Sequence, residues 1–287
     1  MELSKILLPV DFSERSAGAA HYAKSLACRF KSELIIAHAF ELREVVINVP
    51  EAGVPPNWYE DRRRQTEQAL ADFQADEFRN MNVRRVLLDG DVAHTIVEFA
   101  HSEHADLIVM PTHGYGRFRR FILGSITAKV LHDADCPVLT GVHINETPSL
   151  EPLYFREIVC AIDFNPAGER ALRWASGFAR ACEAHLTLVH ALPSIQVTEM
   201  SYHDQALPKM YREIAQQKCD ELQESVGTTA KVILDPSPVP KAVHDAASRS
   251  GADLVVIGRH EDTGLMGRLR ANAYTIVRES PCPVVSV

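Results

Sequence analysis

The chain has 287 residues, 46% hydrophobic and 24% charged, with a formal net charge of −8 at pH 7. That length calls for two domains of ordinary size, and the composition is that of a globular protein, not a disordered one. The negative balance argues against a dedicated nucleic-acid binder, and no apolar run approaches the roughly 20 residues that cross a bilayer.

The chain enters an apolar stretch at once, broken by Pro9 and Asp11, without the cleavage pattern of a secretory leader, so a cytoplasmic protein is expected. Strands are predicted at 5–10, 33–40, 83–88, 106–110 and 138–142. Helices are predicted between them. Ala20, Ala23, Leu26 and Ala27 form one apolar stripe; Ala69, Phe73 and Phe78 form another on a helix over 58–78. The run Arg62, Arg63, Arg64 reads as that helix's solvated face, balanced by Glu60, Asp61 and Glu67.

The pattern is then written a second time. Lys5–Ser13 recurs at 157–165, Leu34–Ala39 at 186–191, Ala105–Met110 at 252–257 and Cys136–Leu139 at 282–285. Four blocks in one order mark a tandem duplication. The joint lies near 145–152, where Asn, Thr, Ser and two prolines break the periodicity, so domains are expected at 1–144 and 153–287. Apolar strands alternating with helices predict an α/β fold, each half a five-stranded, mostly parallel sheet with helices on both faces. A ligand should then sit beyond the carboxyl ends of the strands. Cys28, Cys136, Cys160, Cys182, Cys219 and Cys282 contain no Cys-x-x-Cys pair and read as reduced, structural residues.

Two features gather at those carboxyl ends. Asp11 closes the first strand, as Asp163 does in the second half. After Met110 comes Pro111-Thr112-His113-Gly114, then nine residues, then Gly124-Ser125 at the start of a helix over 126–132. Ser125 is read as the helix cap, with the amides of Ile126 and Thr127 unpaired at a positive helix end and Gly124 allowing close approach of an anion. Arg117, Arg119 and Arg120 add positive charge beside it. This is a phosphate cradle, though not a Walker loop, since Gly-Lys-Ser/Thr is missing there.

With that spacing the sequence resembles a tandem universal stress protein, over essentially its whole length. The resemblance implies a Rossmann-like fold of the adenine-nucleotide alpha-hydrolase type and ATP, or another adenine nucleotide, with Mg²⁺ held through the phosphates. It implies that Asp11 faces the adenine, that Ala39 helps line its pocket, and that Met110 and Pro111 lie against the ribose. Gly114, Gly124, Ser125, Ile126 and Thr127 would hold the phosphates, while His113 either touches phosphate or only orders the loop. Pro111 departs from the family's glycine and removes one backbone donor, at a cost of about 1 kcal/mol. In the second half Glu261 and Ala271-Asn272 replace the cradle, so nucleotide is expected in the first half alone. The strands after Cys136 and Cys282 resemble the family's dimerisation strand, implying an intrachain pseudo-dimer and room for a homodimer.

Competing signals are weaker. His94, Glu98 and His101 share a helical face, but the spacing lacks His-Glu-x-x-His and reads as an exposed polar surface. Asp11, His113 and Ser125 lack a Gly-x-Ser-x-Gly elbow, so no catalytic residue is assigned. His38 and His190 hold matched positions and read as structural histidines at the pocket rim. Segments 41–58 and 192–207 are lids, partner surfaces or passive loops. The resemblance implies a stress-response regulator whose nucleotide orders the loop over 111–123 for an unknown protein partner, with no nucleic-acid or membrane role. The alternatives are a slow ATPase, with at most weak hydrolysis because no general base is placed, and a nucleotide-free scaffold or chaperone-like protein.

Overall fold

Short apolar strands cannot bury both their faces alone, and each half of the chain solves this by covering its strands with amphipathic helices. The computed structural model describes residues 1–41, 57–112, 123–145, 153–193, 207–259 and 271–287. The chain divides into two compact units, Glu2–Leu153 and Tyr154–Val287.

The first unit runs β1 (Lys5–Pro9), α1 (Glu14–Phe30), β2 (Glu33–Phe40), α2 (Trp58–Asp72), β3 (Val83–Asp89), α3 (Val92–Ser102), β4 (Leu107–Val109), α4 (Ser125–Asp133) and β5 (Val138–Thr140). Its strands lie in the order β3-β2-β1-β4-β5, and these pairings are parallel. Ile6, Leu7, Leu8, Leu34, Ile35, Ile36, Leu107 and Ile108 are fully buried along the central strands. Each such side chain contributes about 1.5–3 kcal/mol of burial. Against them α1 lays Ala19, Ala20, Ala23, Leu26 and Ala27, small residues that let it lie close to the sheet. The right-handed crossover rule puts α1 and α2 on one face and α3 and α4 on the other.

Three expected elements are shorter than read. The strands at 106–110 and 138–142 shorten to Leu107–Val109 and Val138–Thr140. Just before β4, Asp106 donates its amide to the Lys5 carbonyl at 2.9 Å while its carboxylate accepts the amides of Ser4 and Lys5, at 2.7 and 2.9 Å. The helix expected over 58–78 ends at Asp72. Arg85, from β3, donates to the carbonyls of Leu70 and Phe73 at 2.9 and 3.0 Å, satisfying the open helix end from outside.

The second unit repeats the plan with β6 (Glu157–Ala161), α5 (Pro166–Cys182), β7 (His185–Ala191), α6 (Leu207–Val226), β8 (Lys231–Asp235), α7 (Val239–Ser250), β9 (Leu254–Ile257), α8 (Ala271–Glu279) and β10 (Val284–Ser286). The order is β10-β9-β6-β7-β8, again parallel. The duplication extends to single hydrogen bonds: Asp253 accepts the amides of Arg156 and Glu157 as Asp106 does those of Ser4 and Lys5. No helix among the described residues is long and apolar enough to cross a membrane. Cys160, Cys182, Cys219 and Cys282 are buried and all six cysteines are free thiols. Burial pushes the Cys219 thiol up to about 11 and that of Cys282 to about 12, so both are protonated at neutral pH.

Candidate ligand crevice at the strand switch point

In each unit the chain winds outward from the central strand, then crosses to its other side. The switch falls between β1 and β4 in the first unit, and between β6 and β9 in the second. Loops leaving two such strands diverge and open a crevice at their carboxyl ends.

The register places the expected residues around the first crevice. Pro9 pairs with Ala37 and Leu7 with Ile108, so continuing both ladders brings Asp11 level with Ala39 and with the Pro111–Thr112 turn. Ala39 is half-buried at the end of β2, and Met110 is buried after β4. Gly124 donates its amide to the Thr112 carbonyl at 2.8 Å, and the Thr127 hydroxyl donates to the Pro111 carbonyl at 3.0 Å. These two bonds dock the start of α4 onto the end of β4. Asp11, Ala39, Met110, Pro111, Gly124, Ser125, Ile126 and Thr127 thus converge on one edge of the sheet. His113 and Gly114, with Arg117, Arg119 and Arg120, lie outside the described residues, as does most of 41–58 and 192–207.

The cap of α4 corrects the sequence reading by one position. Gly124, with extended backbone, is the N-cap, and Ser125 is the first helical residue. No side chain caps this end. The first intrahelical bond runs from Ala128 to Gly124, so the amides of Ser125, Ile126 and Thr127 have no acceptor among the described residues. Ser125 and Ile126 are exposed. Three open amides at the positive end of a helix form an anion cradle. Thr127 contributes its amide only, because its buried hydroxyl is already spent on Pro111.

Asp11 is held by residues the sequence reading passed over. Ser13 donates to Oδ1 from its amide at 3.1 Å and its hydroxyl at 2.5 Å. Ser16 donates to the same Oδ1 at 2.6 Å and accepts the Asp11 amide at 3.0 Å. All three donors crowd one oxygen, leaving Oδ2 as an acceptor for a ligand. The signal was present as Asp11-x-Ser13-x-x-Ser16, in which Ser13 also caps α1. Phe12, between them, sits at φ +62°, a conformation that costs a residue with a Cβ about 1–2 kcal/mol. Its ring stacks on His38 at 4.4 Å, and His38 Nδ1 bonds the Val10 carbonyl at 2.7 Å. That histidine buttresses the rim.

The second unit is tightly packed at the matching positions. Gly168 takes the place of Ser16, and a Cβ there would lie 1.9 Å from the Asp163 carbonyl oxygen. Gly258 takes the place of Pro111, and a Cβ on it would lie 2.5 Å from the Ala167 carbonyl. The start of α5 therefore presses against the end of β9. Arg259 is buried next to this contact, its carbonyl accepting from Arg170 at 3.0 Å. Glu261 lies outside the described residues. Elsewhere His94 pairs with Glu98 and His101 with Asp135, and among the described residues no three His, Cys, Asp or Glu gather into a metal site.

Each half is thus a doubly wound α/β unit, and the first carries a fixed carboxylate and an open helix start at its switch point. The family model for the universal stress protein family matches residues 2–140 and 155–287, and the chain belongs to that family. A universal stress protein of Mycobacterium tuberculosis is 26% identical over 296 residues, covering 98% of this chain and 95% of its own. One from Methanocaldococcus jannaschii is 34% identical over 137 residues, covering 47% of this chain and 79% of its own. The crystal structure of a universal stress protein from Archaeoglobus fulgidus shares the fold, with a TM-score of 0.72 at 20% identity over 100% of this chain and 98% of that one.

Proposed function

We propose that this universal stress protein binds an adenine nucleotide, ATP foremost, in its first unit and acts as a cytoplasmic stress-response regulator. The observation that carries this reading is the pairing of Asp11 with the start of α4 across one crevice. Asp11 Oδ2 is an acceptor suited to an exocyclic amino group, and the amides of Ser125, Ile126 and Thr127 suit phosphate oxygens. Adenine and phosphate are the two ends of one ligand class, so the residues present fit the nucleotide. Mg²⁺ would travel on the phosphates, since no described carboxylate or histidine cluster offers it a cage. The replacement of Ser16 by Gly168, and of the first half's glycines and serine by Glu261 and Ala271-Asn272, supports a single site per chain.

Regulation would follow from a ligand-dependent shift in the surface around 111–123, which a protein partner reads. On the repeat in sequence alone, we also propose that the halves pair through the strands after Cys136 and Cys282; separately produced halves that fail to copurify would overturn this. The nucleotide reading is tested by thermal unfolding with ATP and Mg²⁺, which must raise the midpoint if the native state binds. GTP should raise it less, because its 6-oxo group meets an acceptor at Asp11. An unchanged midpoint at saturating ATP would reject the reading.

A further inference from the structure

The opposite edge of the two sheets, at the amino ends of the strands, differs between the repeats in a way that points to a second ligand. In the first unit this edge is closed by four charges. Arg84 bonds Glu33 at 2.8 Å and grips Glu103 through both terminal nitrogens, at 2.9 and 2.5 Å, while Lys5 bonds Glu103 at 3.1 Å. Arg84 and Lys5 hold the Glu103 carboxyl down at about 2, so it remains charged.

The ladders identify the counterparts. Lys5 pairs with Glu33 as Glu157 pairs with His185, and Ile35 pairs with Arg84 as Thr187 pairs with Lys231. Glu103 lies three residues before Asp106, and Ser250 lies three before its counterpart Asp253. The network of Lys5, Glu33, Arg84 and Glu103 therefore becomes Glu157, His185, Lys231 and Ser250. Two changes matter. The central carboxylate is gone, and the Ser250 hydroxyl turns back to the Ala246 carbonyl at 2.9 Å. The charges of the first strand pair are also exchanged, with Glu157 now bonded to His185 at 2.8 Å.

What remains is a groove of about 790 Å³, lined by all four of these residues together with Arg180 and Glu183. Lys231, Arg180 and Glu183 have no ion-pair partner among the described residues. Glu183 caps the carbonyl end of α5, where the helix dipole favours a cation. Unpaired charges of both signs around one groove call for a ligand that also carries both.

We propose that this groove binds a small zwitterion of the amino-acid type. Its carboxylate replaces that of Glu103, held by Lys231 and Arg180, and its ammonium faces Glu157, Glu183 and the end of α5. The volume falls within the range of small-molecule sites. The site lies in the second unit and does not rest on the nucleotide reading.

The test uses the full chain and the standard L-amino acids at millimolar concentration, with acetate and methylamine as single-charge controls, read by thermal unfolding and by titration calorimetry. At least one amino acid is expected to raise the midpoint where neither control does. Lys231→Met should weaken its binding by about tenfold or more, the scale of a lost charge-assisted bond. Ser250→Glu, which rebuilds the first unit's carboxylate, should abolish binding while keeping the ligand-free midpoint; if either variant fails to fold, the other decides. Adenine nucleotide content should be untouched in both. No response to any amino acid, an equal response to acetate or methylamine, or binding that survives both substitutions would overturn the proposal.

Discussion

Ser16→Ala isolates the clamp on Asp11. The Ser16 hydroxyl is buried, donates to Asp11 Oδ1 at 2.6 Å and accepts the Asp11 amide at 3.0 Å. Alanine removes both bonds and leaves the half-buried Asp11 amide without an acceptor, a cost of about 1–3 kcal/mol. Oδ1 keeps its two bonds from Ser13, and alanine is the better helix former inside α1, which returns about 0.5 kcal/mol. The net loss is about 1.5 kcal/mol, or about 3–6 °C in the unfolding midpoint of a unit of this size. Loosening one tether of Asp11 should also weaken ATP binding about fivefold, near 1 kcal/mol. Circular dichroism melting and titration calorimetry report the two effects separately. Ser16→Thr keeps the hydroxyl and should recover most of both. A Ser16→Ala protein that melts with the wild type and binds ATP equally would refute the clamp.

Further outcomes follow from the same geometry. Ser125→Pro keeps α4, since Gly124 is extended and proline suits the first helical position, but removes one open amide; ATP affinity should fall about tenfold while adenosine affinity holds, and an equal loss for both would contradict the cradle. Gly168→Ala drives a Cβ onto the Asp163 carbonyl and should destabilise the second unit by about 2 kcal/mol or more, read by urea unfolding; a neutral effect would contradict that close backbone contact. Glu103→Gln should cost about 1–2 kcal/mol at pH 7, after allowance for partial exposure. Because folding lowers this carboxyl from its ordinary value of 4.5 to about 2, its stabilisation is present above pH 4.5 and fades as pH falls towards 2, so the mutant's deficit should shrink over that window. Thiol labelling of the native protein should reach exposed Cys28 first and spare Cys160, Cys219 and Cys282; early modification of Cys160 would contradict its burial.

Much of this organisation is legible in the residues. Repeated blocks and continuous apolar strands announce two parallel sheets, and a carboxylate closing the first strand marks the carboxyl-end crevice. The parts that escaped depend on contacts between distant segments. Arg85, on β3, ends α2 at Asp72, which no periodicity within 58–78 reveals. The cap of α4 falls on Gly124, whose amide is held by the Thr112 carbonyl beyond the end of β4, whereas serine is the better cap by local preference alone. Ser16 reads as an ordinary polar residue in the first turn of α1 until the chain folds its hydroxyl onto Asp11. Gly168 and Gly258 look like permissive positions in sequence, yet each is a point where backbone meets backbone.

The central claim is one nucleotide site per chain, built from Asp11 and the start of α4. Denaturing freshly purified protein and identifying the released nucleotide by mass spectrometry, with its stoichiometry, tests that claim most directly. About one adenine nucleotide per chain is expected, falling to near zero in a Ser125→Pro, Asp11→Ala double variant that still folds. Two per chain would contradict the confinement of binding to the first unit, and none, even after loading with ATP and Mg²⁺, would contradict the site itself.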